Sequence, residues 1–239
     1  MNSKLIKTAF SLILVCSAPA ALVAQQKFSS PQEAAQSLFE AVQKHDASAI
    51  ANILGRQDVT SSGDAAQDKA ELELFAEKYQ QMHRVHRDAT DSMILYVGAE
   101  NWPFPIPLVS KNGSWQFDPD AGAEEILYRR IGENELTAIG NVRALAAEKG
   151  KAAPGALPES LASLQAGSPP VQVHGYYYRM LAGGLVVAYP AEYRSSGVMT
   201  FAVTTGGPIY EKDLGPKTAE VASGMSAFHK DGTWHQAAD

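Results

Sequence analysis

The segment Asn101–Asp118, NWPFPIPLVSKNGSWQFD, restricts the fold more than any other stretch of this chain. Pro103, Pro105 and Pro107 alternate with Trp102, Phe104, Ile106 and Leu108. In an extended strand, successive side chains point to opposite faces and successive backbone N–H groups to opposite edges. The prolines therefore share one face and leave one edge without donors. The apolar residues share the other face and keep their donors on the other edge. Such a segment pairs on one side only, so it is expected as an edge strand or as a polyproline-like ribbon packed by its aromatic face. SKNGS then supplies a hairpin turn, and WQFD returns as the partner strand.

Helices precede this ribbon. Ser30 is placed to cap, Pro31 suits the first helical position and Glu33 completes a capping box. Ala35, Leu38, Phe39 and Val42 form the buried stripe. Asp46 caps a short second helix that runs to Leu54. After a TSSGD loop, AAQDKAELELFAEKYQQMHRVHRD reads as one long helix buried through Leu72, Phe75, Ala76, Tyr79 and Met82. SMILYVG, Ser92 to Gly98, reads as a strand. Beyond the ribbon, AGAEEILYRRIGENELTAIGNVRALAAEK is helical, with a break expected near Gly132 because a helical glycine costs about 1 kcal/mol relative to alanine. Residues 151–170, rich in Ala, Gly, Pro and Ser, read as a linker. VQVHGYYYRML, LVVAYP, GVMTFAVTT and PIYEKDL are strands, and Pro216 opens a helix with Ala222, Met225 and Phe228 inward. The expected class is α+β. Residues 25–150 form an N-terminal region of helices with a curled β-hairpin, and residues 171–239 an antiparallel meander closed by a helix.

Residues 1–24 read as a secretory signal: Lys4 and Lys7 precede the apolar run Ala9 to Val15, and small residues lead to a cleavage point after Ala24. The run is short for a membrane span. Cys16, the only cysteine, lies inside this segment, and bulky Val15 disfavours its lipidation. The processed chain would carry no cysteine, which excludes disulfides, thiolate metal sites and cysteine nucleophiles. It would hold 18 basic against 26 acidic side chains, a balance of −8. That charge argues against nucleic acid and anionic membrane surfaces as partners. The expected location is periplasmic or extracellular, with no transmembrane segment in the processed chain.

Four blocks, NWPFPIPLVSKNGSWQFD, AGAEEILYRRIGENEL, HGYYYRML and VAYPAEYRSSGVMTFAVTTGGPIYEKDLGPKTA, are similar to the bacterial exported family catalogued as domain of unknown function 2950. The resemblance covers most of the processed chain and implies export and a shared fold, without an established activity. Compared with that family, this chain has a shorter middle before HGYYYR, and only AGG between Leu181 and Leu185. At the level of fold alone, the opening half resembles the cone-shaped relatives of nuclear transport factor 2. The closing meander resembles a pilin-type head.

Few residue constellations point to chemistry. His83 and His86, at i and i+3 of the expected third helix, are within reach of a shared metal but lack a third ligand, since Asp88 projects away. They read as packing residues. Asp118 and Asp120 before Gly122 fall one oxygen ligand short of a calcium loop and read as a helix cap. Glu125–Arg129 and Arg129–Glu133 are helical pairs on a solvated face, and Arg130 is the arginine best placed to reach a ligand. His174, Tyr176 and Tyr178 are expected on one face of a strand and Tyr177 and Arg179 on the other. These tyrosines are core residues or a platform for sugar or peptide. Glu192 and Tyr193, in the loop that follows, would complete such a site. No G-x-S-x-G, S-x-x-K, H-E-x-x-H or glycine-rich phosphate loop occurs. Three readings follow, none with a cofactor or metal. The first is a non-catalytic binding or assembly module of the cell envelope, with an envelope ligand or an exported partner protein. The second is a small hydrolase or lyase on an envelope polymer, with Glu192 and His174 as acid and base and Arg130 as anion clamp. The third is a structural partner of another exported protein.

Overall fold

Ser30 accepts a hydrogen bond from Glu33 N at 3.1 Å and thereby starts helix α1 (Pro31–Gln43). The Glu33 carboxylate reaches back one residue further than a standard capping box, to the backbone and hydroxyl of Ser29. Asp46 caps α2 (Ala47–Leu54) through Ala49 N, and Gly55 ends it at φ 84°. A third helix, α3, spans Ala65–Gln81. The computed structural model describes residues 25–56, 65–147 and 157–237. The proposed signal segment, the TSSGD loop and the first residues of the proposed linker lie outside them.

The third helix is shorter than its periodicity predicts. HRVHR forms strand β1 (His83–Arg87), antiparallel to β2 (Met93–Val97), with Val85 opposite Leu95. Asp88 makes the turn, accepting from Thr90 N and Ser92 N. Pairing with β2 outweighs the helical tendency of the segment, and it separates the two histidines. His83 stacks on Tyr79 at 3.9 Å, whereas His86 is exposed on the opposite face of the strand.

The proline ribbon opens as β3 (Trp102–Pro103), which pairs with β2, and Phe104 N donates to Leu95 O at 2.7 Å. It continues into β4 (Leu108–Lys111), which pairs with β5 (Ser114–Phe117) through a turn at Asn112 and Gly113, both at positive φ. The five-stranded sheet has the order β1-β2-β4-β5, with β3 also on β2. The proline-bearing part of the ribbon pairs on one side only, with β2, as its missing donors require. Its donors face β2 as expected, but the constraint ends with the last proline, and Leu108 then pairs on both sides, with Met93 and Phe117. Ile106 and Leu108 are buried, while Trp102 stays 44% exposed at the rim. Leu38, Val42, Ile53 and Leu54 from α1 and α2 pack on Ile106, Leu108 and Phe117.

Asp118 caps α4 (Pro119–Ala146), 28 residues without interruption. The break expected at Gly132 is absent. Glycine lowers helix stability but does not impose a bend, and this helix is held at both ends. Gly122 lies so close to Ile106 that a Cβ would come within 2.7 Å of its side chain. Ala138, Val142 and Ala146 enter the second core.

That core belongs to a six-stranded antiparallel meander: β6 (Val171–Val173), β7 (Tyr176–Leu181), β8 (Leu185–Pro190), β9 (Met199–Val203), β10 (Tyr210–Asp213) and β11 (His235–Gln236). α4 covers the face carrying Tyr176, Tyr178, Val186, Ala188, Phe201 and Val203. Leu161 of the short helix α5 (Glu159–Ala162) and Leu164 pack on the same face, so the latter part of the Ala/Gly/Pro-rich stretch contributes to the core. The opposite face, with Val187, Tyr189 and Ala202, packs on Ala222 of α6 (Thr218–Gly224) and on Trp234. Arg179 donates to the carbonyls of Ala222 and Met225 and so finishes that helix. The architecture is α+β, as expected.

Candidate functional site

The stretch VQVHGYYYRML is a hairpin, not one strand. His174 and Gly175, at φ 45° and 73°, form its turn. His174 consequently leaves the strand face that Tyr176 and Tyr178 share. A Cβ on Gly175 would meet Asn134 Nδ2 at 2.7 Å and Ser196 Cβ at 3.0 Å, so the turn is pressed between α4 and the loop after β8. Ala191 N donates to Gly175 O at 2.9 Å, which ties that loop to the turn.

Two side chains of α4 fix the loop from below. Asn134 Nδ2 donates to Ser196 O at 2.8 Å. Glu135 Oε1 accepts from Val198 N and Met199 N, both at 2.9 Å. The Tyr176 hydroxyl donates to Met199 O at 2.9 Å and lies 3.5 Å from the same carboxylate oxygen. Burial, reinforced by the Glu135 charge, holds the Tyr176 hydroxyl far above the ordinary tyrosine range, so it remains a donor. A Cβ at Gly197 would fall 2.2 Å from the Tyr176 oxygen; only glycine fits there. Within the loop, Glu192 N donates to Ser196 Oγ and Arg194 N to Gly197 O. Arg194 sits at φ 61°, an uncommon conformation for a non-glycine residue.

On this base stands a corner of the surface. His174, Glu192 and Arg194 are exposed and Tyr193 is half-buried. The Arg194 guanidinium lies 5.5 Å from the Tyr193 ring centroid, and the Tyr193 hydroxyl donates to Asp213 at 3.0 Å. Tyr128 of α4 is 57% exposed. Its hydrogen bond to Glu124 pushes its hydroxyl upward, opposed by the nearby Arg194 charge. Arg130 is exposed one helical turn before Asn134.

The candidate residues thus divide. Tyr176 and Tyr178 are 0% exposed, so neither ring offers a platform. Tyr178 accepts from Asn141 in the core, and burial raises its pKa against the effect of that bond. The reason is that both faces of the meander are covered, so the alternation that separates Tyr177 from its neighbours separates two cores rather than core from solvent. His174, Glu192 and Tyr193 do come together along one turn and one loop. No side-chain hydrogen bond or ion pair joins Glu192, His174 and Arg130 among the described residues, so the acid–base trio is not assembled. Of the paired arginines, Arg129 is the engaged one. It bonds Glu125 and Pro103 O, both at 2.8 Å, and lies 5.3 Å from the Trp102 ring centroid.

Asn134 and Glu135 are the loop-anchoring positions that the sequence does not single out. Nothing in GENEL distinguishes Glu135 from exposed Glu133 except the loop it meets in space. Two depressions lie elsewhere. One, of about 240 Å³, involves Arg143, Val203, Ile209 and Gln236, and the other, of about 320 Å³, lies between α1 and α3. Neither contains any of the six candidates. Among the described residues no three His, Cys, Asp or Glu side chains gather as a metal site, and no helix is long and apolar enough to cross a membrane.

Fold and site together define a two-sheet α+β protein with a surface corner held by half-buried polar side chains of α4. The family described as "Protein of unknown function (DUF2950)" matches residues 25–153 and 162–237, and the chain belongs to that family. No curated protein and no solved structure matches it.

Proposed function

We propose that this protein is an exported, non-catalytic binding or assembly module of the cell envelope. Its recognition surface is the corner formed by His174, Glu192, Tyr193, Arg194, Tyr128 and Arg130. One observation carries the reading: a carboxylate of the long helix, Glu135, accepts two backbone N–H groups of the loop that presents these side chains. A loop held in this way loses little conformational entropy when a ligand arrives, which is how preorganisation raises affinity. Tyrosine and arginine dominate recognition surfaces because each offers a large contact area with a polar end. Here they stand beside a histidine and a carboxylate, a set suited to the mixed donors and acceptors of an envelope glycan or peptide. Export is supported by the charge and apolar pattern of residues 1–24.

Co-sedimentation of the purified protein with isolated cell-wall sacculi tests this. Tyr193→Ala with Arg194→Ala should reduce the bound fraction several-fold without changing the melting temperature appreciably. Equal retention of wild type and double variant would sink the proposal. Release of soluble fragments, lost in Glu192→Gln, would instead favour the hydrolase or lyase reading.

A further inference from the structure

β1 ends the first sheet, and among the described residues its outer side is the one edge of that sheet left open. The outer edge of β5 is closed by Phe28, because Phe28 N and Trp115 N each donate to the other's carbonyl at 2.8 Å. The side of β3 away from β2 carries Pro103 and Pro105, which have no donors to offer. β1 has neither protection. Gly98 N donates to Met82 O and Asp88 N to Ser92 O, both at 2.9 Å. That alternation directs the backbone groups of Arg84 and His86 to β2 and those of His83, Val85 and Arg87 outward. The outward N–H groups have no partner among the described residues. Of the outward carbonyls, only Arg87 O is engaged, by His86 Nδ1 at 2.7 Å.

Arg84 gives this edge its selectivity. Its Nε donates to Asn101 Oδ1 at 2.9 Å, and its guanidinium lies 4.6 Å from the Tyr96 ring centroid. These contacts hold the fork in place on an exposed side chain. Among the described residues neither Nη group has a hydrogen bond or a carboxylate partner. The neighbouring charges are already matched, Arg87 with Asp91 and Lys78 with Glu100. We infer that β1 is a docking edge for an extended acidic segment of a partner protein, which adds to the sheet beside it. Such a segment bonds the outward backbone groups of His83, Val85 and Arg87. Its residue opposite Arg84 then occupies a non-hydrogen-bonded position, where facing side chains lie closest. An aspartate or glutamate there meets the free Nη pair as a two-pronged ion pair. A second copy of this chain fits badly. Paired on itself about Val85, HRVHR would bring the arginines of both copies together with no carboxylate between them. The docking edge belongs to the first sheet and the corner to the second, so the two proposals stand or fall separately.

NMR titration of the whole protein with an acetylated, amidated TVEVEVT peptide tests the inference, with TVKVKVT as the control of opposite charge. The acidic peptide should bind and should slow amide exchange at His83, Val85 and Arg87. Exchange at Arg84 and His86, whose amides already face β2, should change little. Arg84→Glu should weaken the acidic peptide by about tenfold or more and gain the lysine peptide. Arg84→Gln should lose the first without gaining the second. Both variants should keep the circular dichroism of the wild type, because the side chain is exposed. No binding of the acidic peptide at millimolar concentration, or equal binding of the two peptides, would overturn the proposal. Binding without protection of the outward amides would do the same.

Discussion

Glu135 is where a single side chain does most to shape the surface. It accepts two backbone donors of the loop at 2.9 Å, and hydrogen bonds to a charged acceptor are worth about 1.5–3 kcal/mol each. Glu135→Ala should therefore destabilise by roughly 2–4 kcal/mol in urea unfolding, and Glu135→Gln by less, because the amide oxygen still accepts. Gly197→Ala should cost at least about 1–3 kcal/mol through overpacking, since its new methyl would collide with the Tyr176 oxygen. A melting temperature equal to wild type in either case would contradict the geometry. Little of this was legible beforehand. Three consecutive tyrosines announce opposite faces, but which face meets water depends on what covers each side of the sheet. His174 lies in a run with the pattern of a strand, although the His-Gly pair is the turn.

At the scale of elements, the caps at Ser30, Asp46 and Asp118 formed as their short-range patterns required, because a cap needs only neighbouring residues. The end of the third helix did not. HRVHR has no local feature that rejects a helix, and β2 decides its conformation. Asp88, which accepts from Thr90 N and Ser92 N, is a local device for the reversal, beside Asp91 at φ 72°. Asp88→Ala should lower stability by about 1 kcal/mol. It should also speed amide exchange across His83–Arg87 more than in β4 and β5. Uniform exchange across the sheet would show that the turn does not govern the strand. Similarly, the prolines set which edge the ribbon could use, but not that the chain beyond Pro107 would continue as β4 between β2 and β5.

Over the whole molecule, four tyrosines link stability to alkaline pH. Burial raises the hydroxyls of Tyr79, pushed up to about 12, and of Tyr176, Tyr178 and Tyr189. In the unfolded chain they ionise near pH 10. Above that value the unfolded state binds fewer protons than the native state, so stability is full below about pH 10 and falls as pH rises beyond it. Thermal melts from neutral to strongly alkaline pH, with tyrosinate absorbance followed in parallel, should show release of these protons coinciding with unfolding. Ionisation of all tyrosines before unfolding would refute it. The sequence by itself determined the α+β class, the helix caps, the ribbon's single donor edge and the strand-rich second half, because these follow from backbone sterics and nearest neighbours. Only the tertiary structure decided that α4 runs unbroken from one sheet to the other, that Tyr176 and Tyr178 are core, and that Glu135 anchors the exposed loop. Those outcomes rest on contacts between residues distant in the chain, whose energies no local pattern encodes.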